Sequence, residues 1–271
     1  MTDRDRYRPF TNDPTSRVRF DAAPLEFVIC QIRWPRLASL QGDISPVAKH
    51  FGSLLIDFPL YTESPEISVQ LTPSGVQQSQ TGVVYQWSSA DRSIGVSFTR
   101  DFIAVTSKRY SDYDSFSATL RGVLNALRDS IDIPLVERIG VRYLNRITDA
   151  THLTDIARFV RPEMLGHQAL TSDSSEVHLV QALSHSLFRV GTGQLQARSG
   201  VLPPGETLDP TVEPVNALSW VLDIDSFSQR ELVFSVDAVL TEASRLSDAA
   251  YDFFKHVIKT GFFEAFDGRT V

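Results

Sequence analysis

The stretch Pro134 to Thr148 reads Pro-Leu-Val-Glu-Arg-Ile-Gly-Val-Arg-Tyr-Leu-Asn-Arg-Ile-Thr and lies at the middle of the 271-residue chain. Its apolar and basic residues fall on opposite parities: Ile139, Val141, Tyr143 and Ile147 against Arg138, Arg142 and Arg146. Successive side chains of a strand point to opposite faces of a sheet. The stretch therefore predicts one long strand that has an apolar face and an arginine stripe, and that joins two halves of one sheet.

Before this strand, the sequence predicts an N-terminal half over residues 21–148, preceded by a mobile arm over residues 1–20. Its predicted strands are 25–34, 66–71, 83–88, 93–99 and 102–108, and its predicted helices begin at Ser45-Pro46 and at Tyr113. The second helix continues to Ser130 with apolar residues three and four apart, and Asp112 or Asp114 can cap it. Short strands with tight turns are typical of an antiparallel meander.

After this strand, the pattern repeats more loosely over a C-terminal half, residues 149–271. The predicted elements are a helical segment at 153–160, strands at 176–183, 187–198 and 218–226, a proline-rich loop at 202–214, and a helix at 237–258. The predicted fold class is α+β, an antiparallel sheet with long amphipathic helices packed on one face and two similar tandem halves. One continuous domain would fit the same pattern.

Composition limits the compartment and the partners. The N-terminus has no apolar stretch behind its charges, and no run reaches the ~18 to 20 apolar residues of a membrane-spanning helix. The single cysteine, Cys30, lies in an apolar run and is predicted to be a buried thiol in a reducing compartment. We therefore expect a cytoplasmic protein with no membrane contact. Residues 201–252 hold ten acids and two arginines, which disfavours nucleic-acid binding there.

Six polar residues are candidates for contact with a ligand or a partner: Arg138, Arg142, Asn145, Arg146, Asp223 and Asp225. Arginines four apart on a strand lie about 13 Å apart and could bind phosphates or an acidic partner. The alternative is that they pair internally with Glu26, Asp223 and Asp225. A second candidate is an exposed patch for a partner chain, formed by Phe262, Phe263 and Phe266, for which core packing is the alternative.

No motif predicts catalysis, a metal or a cofactor. The six histidines are scattered, and neither a His-Glu-x-x-His nor a Cys-x-x-Cys pattern is present. Gly191-Thr192-Gly193 lacks the third glycine of a dinucleotide fingerprint and is better interpreted as a hairpin turn. The sequence predicts no catalytic residue, no metal ligand and no cofactor, and it leaves open whether the protein is an enzyme, with the balance against it.

Several landmarks together resemble a family of sporadically distributed, uncharacterised bacterial proteins. They are Ala23 to Trp34, Tyr85-Gln86-Trp87-Ser88, Tyr110 to Phe116, Glu137 to Ile147, Leu222-Asp223-Ile224-Asp225 and the closing phenylalanine-rich helix. The family has no assigned activity, so the resemblance implies no catalytic residues. A patchy distribution is similar to that of genes at mobile or defence loci, which implies a protein acting with a genetic neighbour.

Three functions follow as hypotheses. The leading one is a non-catalytic intracellular interaction or regulatory protein that binds another protein or itself. The first alternative is an enzyme or small-ligand binder with a site between sheet and helices, where Arg142, Asn145, Asp223 and Asp225 would converge. The second alternative, nucleic-acid binding through the arginine stripe, is disfavoured by the charge.

Overall fold

The structure is a computed structural model that describes residues 6–13, 18–72, 75–170, 179–209 and 211–270. It divides into two compact units, each discontinuous in sequence. Unit 1 comprises residues 1–27, 141–227 and 245–271, and unit 2 comprises residues 28–140 and 228–244. The sequence predicts a single boundary near residue 148 instead.

The strands in chain order are β1 Val18–Phe20, β2 Leu25–Arg33, β3 Leu60–Thr72, β4 Gly75–Ser88, β5 Ile94–Phe98, β6 Phe102–Ser107, β7 Leu135–Val136, β8 Arg138–Ile147, β9 Ala182–Val190, β10 Gly193–Leu202, β11 Ser219–Ser228, β12 Leu232–Val233 and β13 Gly268–Thr270. The α-helices are α1 Ser45–Ser53, α2 Tyr113–Ser130, α3 Ala150–Thr154, α4 Ile156–Phe159, α5 Val236–Val257 and α6 Thr260–Ala265. Mixed helix and strand with extensive antiparallel pairing confirms the α+β class. Within the described residues, no helix is long and apolar enough to cross a membrane.

In unit 2 the strands follow the order β3-β4-β5-β6-β2, and β2 pairs antiparallel with β6. The helix α2 has the predicted bounds, and the Asp112 carboxylate caps it by accepting a hydrogen bond from Ser115 N at 2.8 Å. Its buried residues recur at helical spacing: Phe116, Leu120, Val123, Leu124, Ala126 and Leu127. Cys30, in the middle of β2, is fully buried, as the sequence predicts.

In unit 1 the strands follow the order β8-β11-β10-β9. Antiparallel register places Arg198 of β10 opposite Asp223 of β11 and opposite His185 of β9. The alternate residues of β10 and β11, including Leu195, Trp220 and Leu222, are buried in one apolar core together with residues of α4, α6 and the second part of α5. The opposite face of these strands carries Arg198 and Asp223, since side chains alternate between faces.

Both strand sets are built by the same route. In unit 2, the chain continues from β2 through α1 into the meander β3 to β6, and its last strand, β6, lies beside β2. In unit 1, the chain continues from β8 through α3 and α4 into the meander β9 to β11, and its last strand, β11, lies beside β8. A long helix follows each meander, α2 after β6 and α5 after β11.

Two local predictions differ from the structure. The long strand predicted over 134–148 is interrupted at Glu137, where Glu137 N donates to Arg33 O in unit 2, so that β7 pairs with β12 instead. The strand predicted over 187–198 is wrong as one strand, because the chain turns at residues 191–192 and returns as β10. Gly191 has φ +59°, a conformation that favours glycine, and this is the hairpin turn that the Gly-Thr-Gly pattern predicts.

The described part of the predicted mobile arm packs on α5 within unit 1. The Asp252 carboxylate, which is fully buried, accepts hydrogen bonds from Phe10 N at 2.6 Å and from Thr11 N at 3.1 Å. The Arg8 guanidinium, also buried, donates to Asp248 O at 2.9 Å. Residues 6–13 are thus tied to one helix by charged groups. The remaining residues of the predicted arm before β1, 1–5 and 14–17, lie outside the described residues.

Candidate functional site

Two arginines and two aspartates meet on one face of the unit 1 strands, and we call them the charged cluster: Arg142, Arg198, Asp209 and Asp223. Arg142 comes from β8, Arg198 from β10 and Asp223 from β11. Asp209 comes from the connection between β10 and β11, residues 203–218, which we call the β10–β11 loop. Three neighbouring strands thus supply three members, and a loop supplies the fourth.

Asp223 is the centre of the charged cluster. Its Oδ1 accepts a hydrogen bond from Arg142 Nε at 2.7 Å, and its Oδ2 accepts one from Arg198 Nε at 2.8 Å. Its side chain is only 1% exposed, whereas those of Arg142 and Arg198 are 15% and 16% exposed. A buried carboxylate needs cationic or hydrogen-bonding partners, and both guanidiniums supply them.

Asp209 lies at the outer ends of the same two guanidiniums. Its Oδ2 accepts hydrogen bonds from Arg142 Nη2 at 2.8 Å and from Arg198 Nη2 at 2.7 Å. Its Oδ1 accepts from Thr211 N at 3.0 Å, within the loop itself. Two arginines and two aspartates sum to zero formal charge.

The pKa values agree with this arrangement. Burial by itself would raise the pKa of Asp209, but hydrogen bonds from Thr211 and Arg198 and the charge of Arg142 outweigh it and hold the pKa well below its usual range. Burial would lower the pKa of Arg142, yet the charge and hydrogen bonds of Asp223, followed by those of Asp209, raise it. Both groups are therefore firmly ionised at neutral pH.

Other side chains attach the β10–β11 loop to the strands. Arg142 Nη1 donates to Thr211 Oγ1 at 3.0 Å, and Arg146 Nη1 donates to Glu213 O at 2.9 Å. Arg146 Nε also lies 2.8 Å from Glu26 Oε2. Arg142 and Arg146 therefore pair internally, with Asp223 and Glu26. This is the alternative that the sequence left open for the arginine stripe.

The structure brings only some of the predicted site residues together. Arg138 belongs to unit 2, whereas the charged cluster belongs to unit 1, and Arg138 donates to Gln31 Oε1 at 3.0 Å. The Asn145 amide donates to Leu222 O at 3.4 Å, on the opposite parity from Arg142. Asp225 shares the face of Asp223 and lies opposite Gln196 of β10. Arg142 and Asp223 therefore converge directly, whereas Arg138 and Asn145 do not join them.

The three candidate phenylalanines line the core rather than a surface. Phe262 and Phe266 are almost fully buried, and their ring centroids are 4.5 Å apart. Phe263 is half-buried and its ring lies 5.2 Å from that of Phe20. Core packing, the alternative weighed for these residues, describes their position in unit 1.

Sequence reasoning missed Arg198 and Asp209. The alternation of apolar and polar residues in β10 predicts that Arg198 lies on the polar face. The pairing of Arg198 with Asp223 depends on the register between β10 and β11, which the sequence does not specify. Asp209 had no periodic signal because it lies in a loop. The charged cluster presents no group beyond those already bonded to each other, and among the described residues no cluster of three or more His, Cys, Asp or Glu could hold a metal ion.

The edge strand β9 is the second candidate surface. It pairs with β10 along one side, and in the part of the chain that the structure describes no strand pairs with its other side. Leu183 and Leu187, on the same face as His185, are 43% and 58% exposed. Phe188, on the opposite face, is 37% exposed although its ring lies 5.9 Å from Phe10 and 5.6 Å from Phe253. Gly166–Leu170 contact β9 as well, and large apolar side chains are exposed along the strand.

Comparisons with known proteins add no assignment. No protein-family model matches the chain, and no curated protein matches it significantly. The family resemblance and its implied genetic neighbour remain predictions from the sequence.

Proposed function

We propose that the protein is a non-catalytic interaction protein that binds another protein, and that the open edge of β9 is the surface it uses. The proposal rests on β9, a nine-residue strand at the edge of the described sheet. One of its faces exposes Leu183 and Leu187. An extended segment of a partner can add to such an edge through main-chain hydrogen bonds and place its side chains beside the exposed leucines.

The sequence of β9 supports this use, because it lacks the residues that usually protect an edge. Proteins block edge strands with lysines, prolines, bulges or short strand length. β9 has nine residues, no proline and no lysine, its register with β10 is unbroken, and its one formally charged side chain is Arg189 near the end. A strand of this kind that stays without a partner would favour aggregation, so a physiological partner is the simpler explanation.

A charge placed on β9 tests the proposal. In Leu187→Lys, a lysine replaces an exposed leucine and makes strand addition less favourable, while Ile56→Lys places the same charge at an 88%-exposed isoleucine outside β9. Tagged wild-type protein and both variants would be used to capture partners from a lysate of the source cells. We expect the retained partner to be lost with Leu187→Lys and kept with Ile56→Lys. Equal retention by all three would refute the use of β9, and no stoichiometric partner for any of them would refute the function.

The compartment and the origin of the fold are part of the same proposal. A cytoplasmic location is supported by the single buried Cys30, which cannot form an internal disulfide. Descent from a duplicated α+β half is supported by the shared route of the two strand sets, in which the meander returns beside the strand that precedes it. Superposition of β2 to α2 on β8 to α5 tests the duplication, and equivalent strands with opposite directions would contradict it.

A further inference from the structure

The strands of unit 1 present a site that requires an anion. Arg142 and Arg198 carry two positive charges, and Asp223 between them carries one negative charge, so these three strand residues have a net charge of +1. Their side chains are 15%, 16% and 1% exposed, and an uncompensated charge in such a place is unfavourable. The Nη2 atoms of both arginines lie 2.6 and 3.3 Å from Asp223 Oδ2, and a second anion beside them would balance the remaining charge.

That second anion comes from a loop rather than from the strands. Asp209 Oδ2 accepts from both Nη2 atoms, at 2.8 and 2.7 Å, while Asp209 Oδ1 is bonded to Thr211 of the same loop. The bonds to Thr211 would move with the loop, so only one carboxylate oxygen of Asp209 satisfies the arginines. Asp209 is also the most exposed member of the charged cluster, at 24% of its side chain. The strands supply the two cations of this contact, and the loop supplies the second anion.

We propose that Arg142 and Arg198 form a binding site for a small oxyanion group, a carboxylate or a phosphate, and that Asp209 occupies this site in the free protein. Guanidinium groups bind carboxylate and phosphate oxygens through paired, planar N–H donors. An incoming oxyanion takes the position of Asp209 Oδ2 and displaces the β10–β11 loop. Arg198 lies opposite His185 of β9, but the site does not use the backbone edge of β9 and does not depend on the proposed protein partner.

Competition with Asp209 sets the expected affinities. A tethered group competes at an effective concentration on the order of millimolar, so a free oxyanion binds the wild-type protein weakly. Asp209→Asn keeps the size and an oxygen acceptor but removes the charge. In that variant the site has a net charge of +1 and no competing anion, and we expect phosphate or acetate to bind about tenfold more tightly than in the wild type.

Charge counting also gives the matched control. In Asp209→Asn/Arg198→Gln, only Arg142 and Asp223 remain, the net charge returns to zero, and no anion is required. Calorimetric titrations of inorganic phosphate and of acetate, at constant ionic strength maintained with chloride, would compare the wild type, the single variant and the double variant. Circular dichroism would establish that each variant is folded.

Tighter binding by Asp209→Asn that is lost in the double variant supports the site, and the relative strength of phosphate and acetate identifies which oxyanion it prefers. Equal, weak binding by all three proteins overturns the proposal. If Asp209→Asn does not fold, hydrogen exchange of the wild type decides instead. Phosphate or acetate at high concentration should accelerate exchange of residues 205–218 relative to chloride, and unchanged exchange with either anion overturns the proposal.

Discussion

Removal of the buried carboxylate of Asp223 is expected to destabilise unit 1 strongly. In Asp223→Ala, Arg142 and Arg198 lose hydrogen bonds of 2.7 and 2.8 Å and keep Asp209 as their anionic partner, which leaves a net charge of +1 in a mostly buried place. Breaking a buried ion pair typically costs about 3 to 5 kcal/mol. Because the arginines retain some solvent contact, we expect the lower end, about 3 kcal/mol.

Equilibrium unfolding in urea measures this loss. With an m-value of about 3 kcal/mol/M, a loss of about 3 kcal/mol lowers the midpoint by about 1 M. Trp220 is fully buried in unit 1, and Trp34 and Trp87 are buried in unit 2, so tryptophan fluorescence follows unfolding of the whole chain alongside circular dichroism.

A matched control separates burial from the contact itself. Asp237→Ala in unit 2 removes a contact of the same length, 2.7 Å to Arg121, but both of its side chains are largely exposed. Exposed pairs contribute about 0 to 1 kcal/mol. If Asp223→Ala and Asp237→Ala lower the free energy of unfolding by similar small amounts, the charged cluster does not stabilise unit 1.

Three further predictions concern the same unit. Asp252→Ala removes the acceptor of the Phe10 and Thr11 amides, so residues 6–13 should become sensitive to limited proteolysis, with a loss of about 2 kcal/mol in the free energy of unfolding; unchanged cleavage would contradict the tie to α5. The pKa of Asp209 is lower in the folded than in the unfolded state, so its contribution to stability is present above about pH 4 and is lost as the pH falls toward the folded pKa. As the pH is lowered from 6 to 2, the free energy of unfolding should therefore fall less steeply for Asp209→Asn than for the wild type. Equal slopes would argue against this contribution of Asp209. Gly200 has φ +149°, and an added Cβ would collide with Ala182 O of β9. Gly200→Ala should therefore lower the free energy of unfolding by about 2 kcal/mol or more and speed hydrogen exchange of β9. A thermal unfolding midpoint equal to that of the wild type would contradict this prediction.

Elements with strong local signals could be predicted from the sequence. The bounds of α2 follow from apolar residues at helical spacing and from the capping carboxylate of Asp112, both of which act within a few residues. β8 follows from apolar residues and arginines that fall on opposite parities. The Gly-Thr-Gly pattern predicts the turn, but the strand predicted over 187–198 runs through it. The apolar residues at 187–190 and the alternating residues at 194–198 together resemble one long strand.

The candidate site was less predictable because its contacts are long-range. Arg142 and Asp223 could be proposed as partners from their parity and strand positions. Their joining with Arg198 depends on the register of β10 against β11, and their joining with Asp209 depends on the path of an irregular loop. Burial of Phe262 and Phe266 likewise depends on how α6 packs in unit 1, which an aromatic-rich sequence does not specify.

Hydrogen exchange of β9, residues 182–190, can be compared between the purified protein and the complex recovered from source cells. In an edge strand about half of the backbone amides point away from the neighbouring strand. If a partner strand pairs with β9, these amides exchange quickly in the free protein and at least about tenfold more slowly in the complex. A stable complex in which the β9 amides exchange as they do in the free protein would contradict partner binding at this edge.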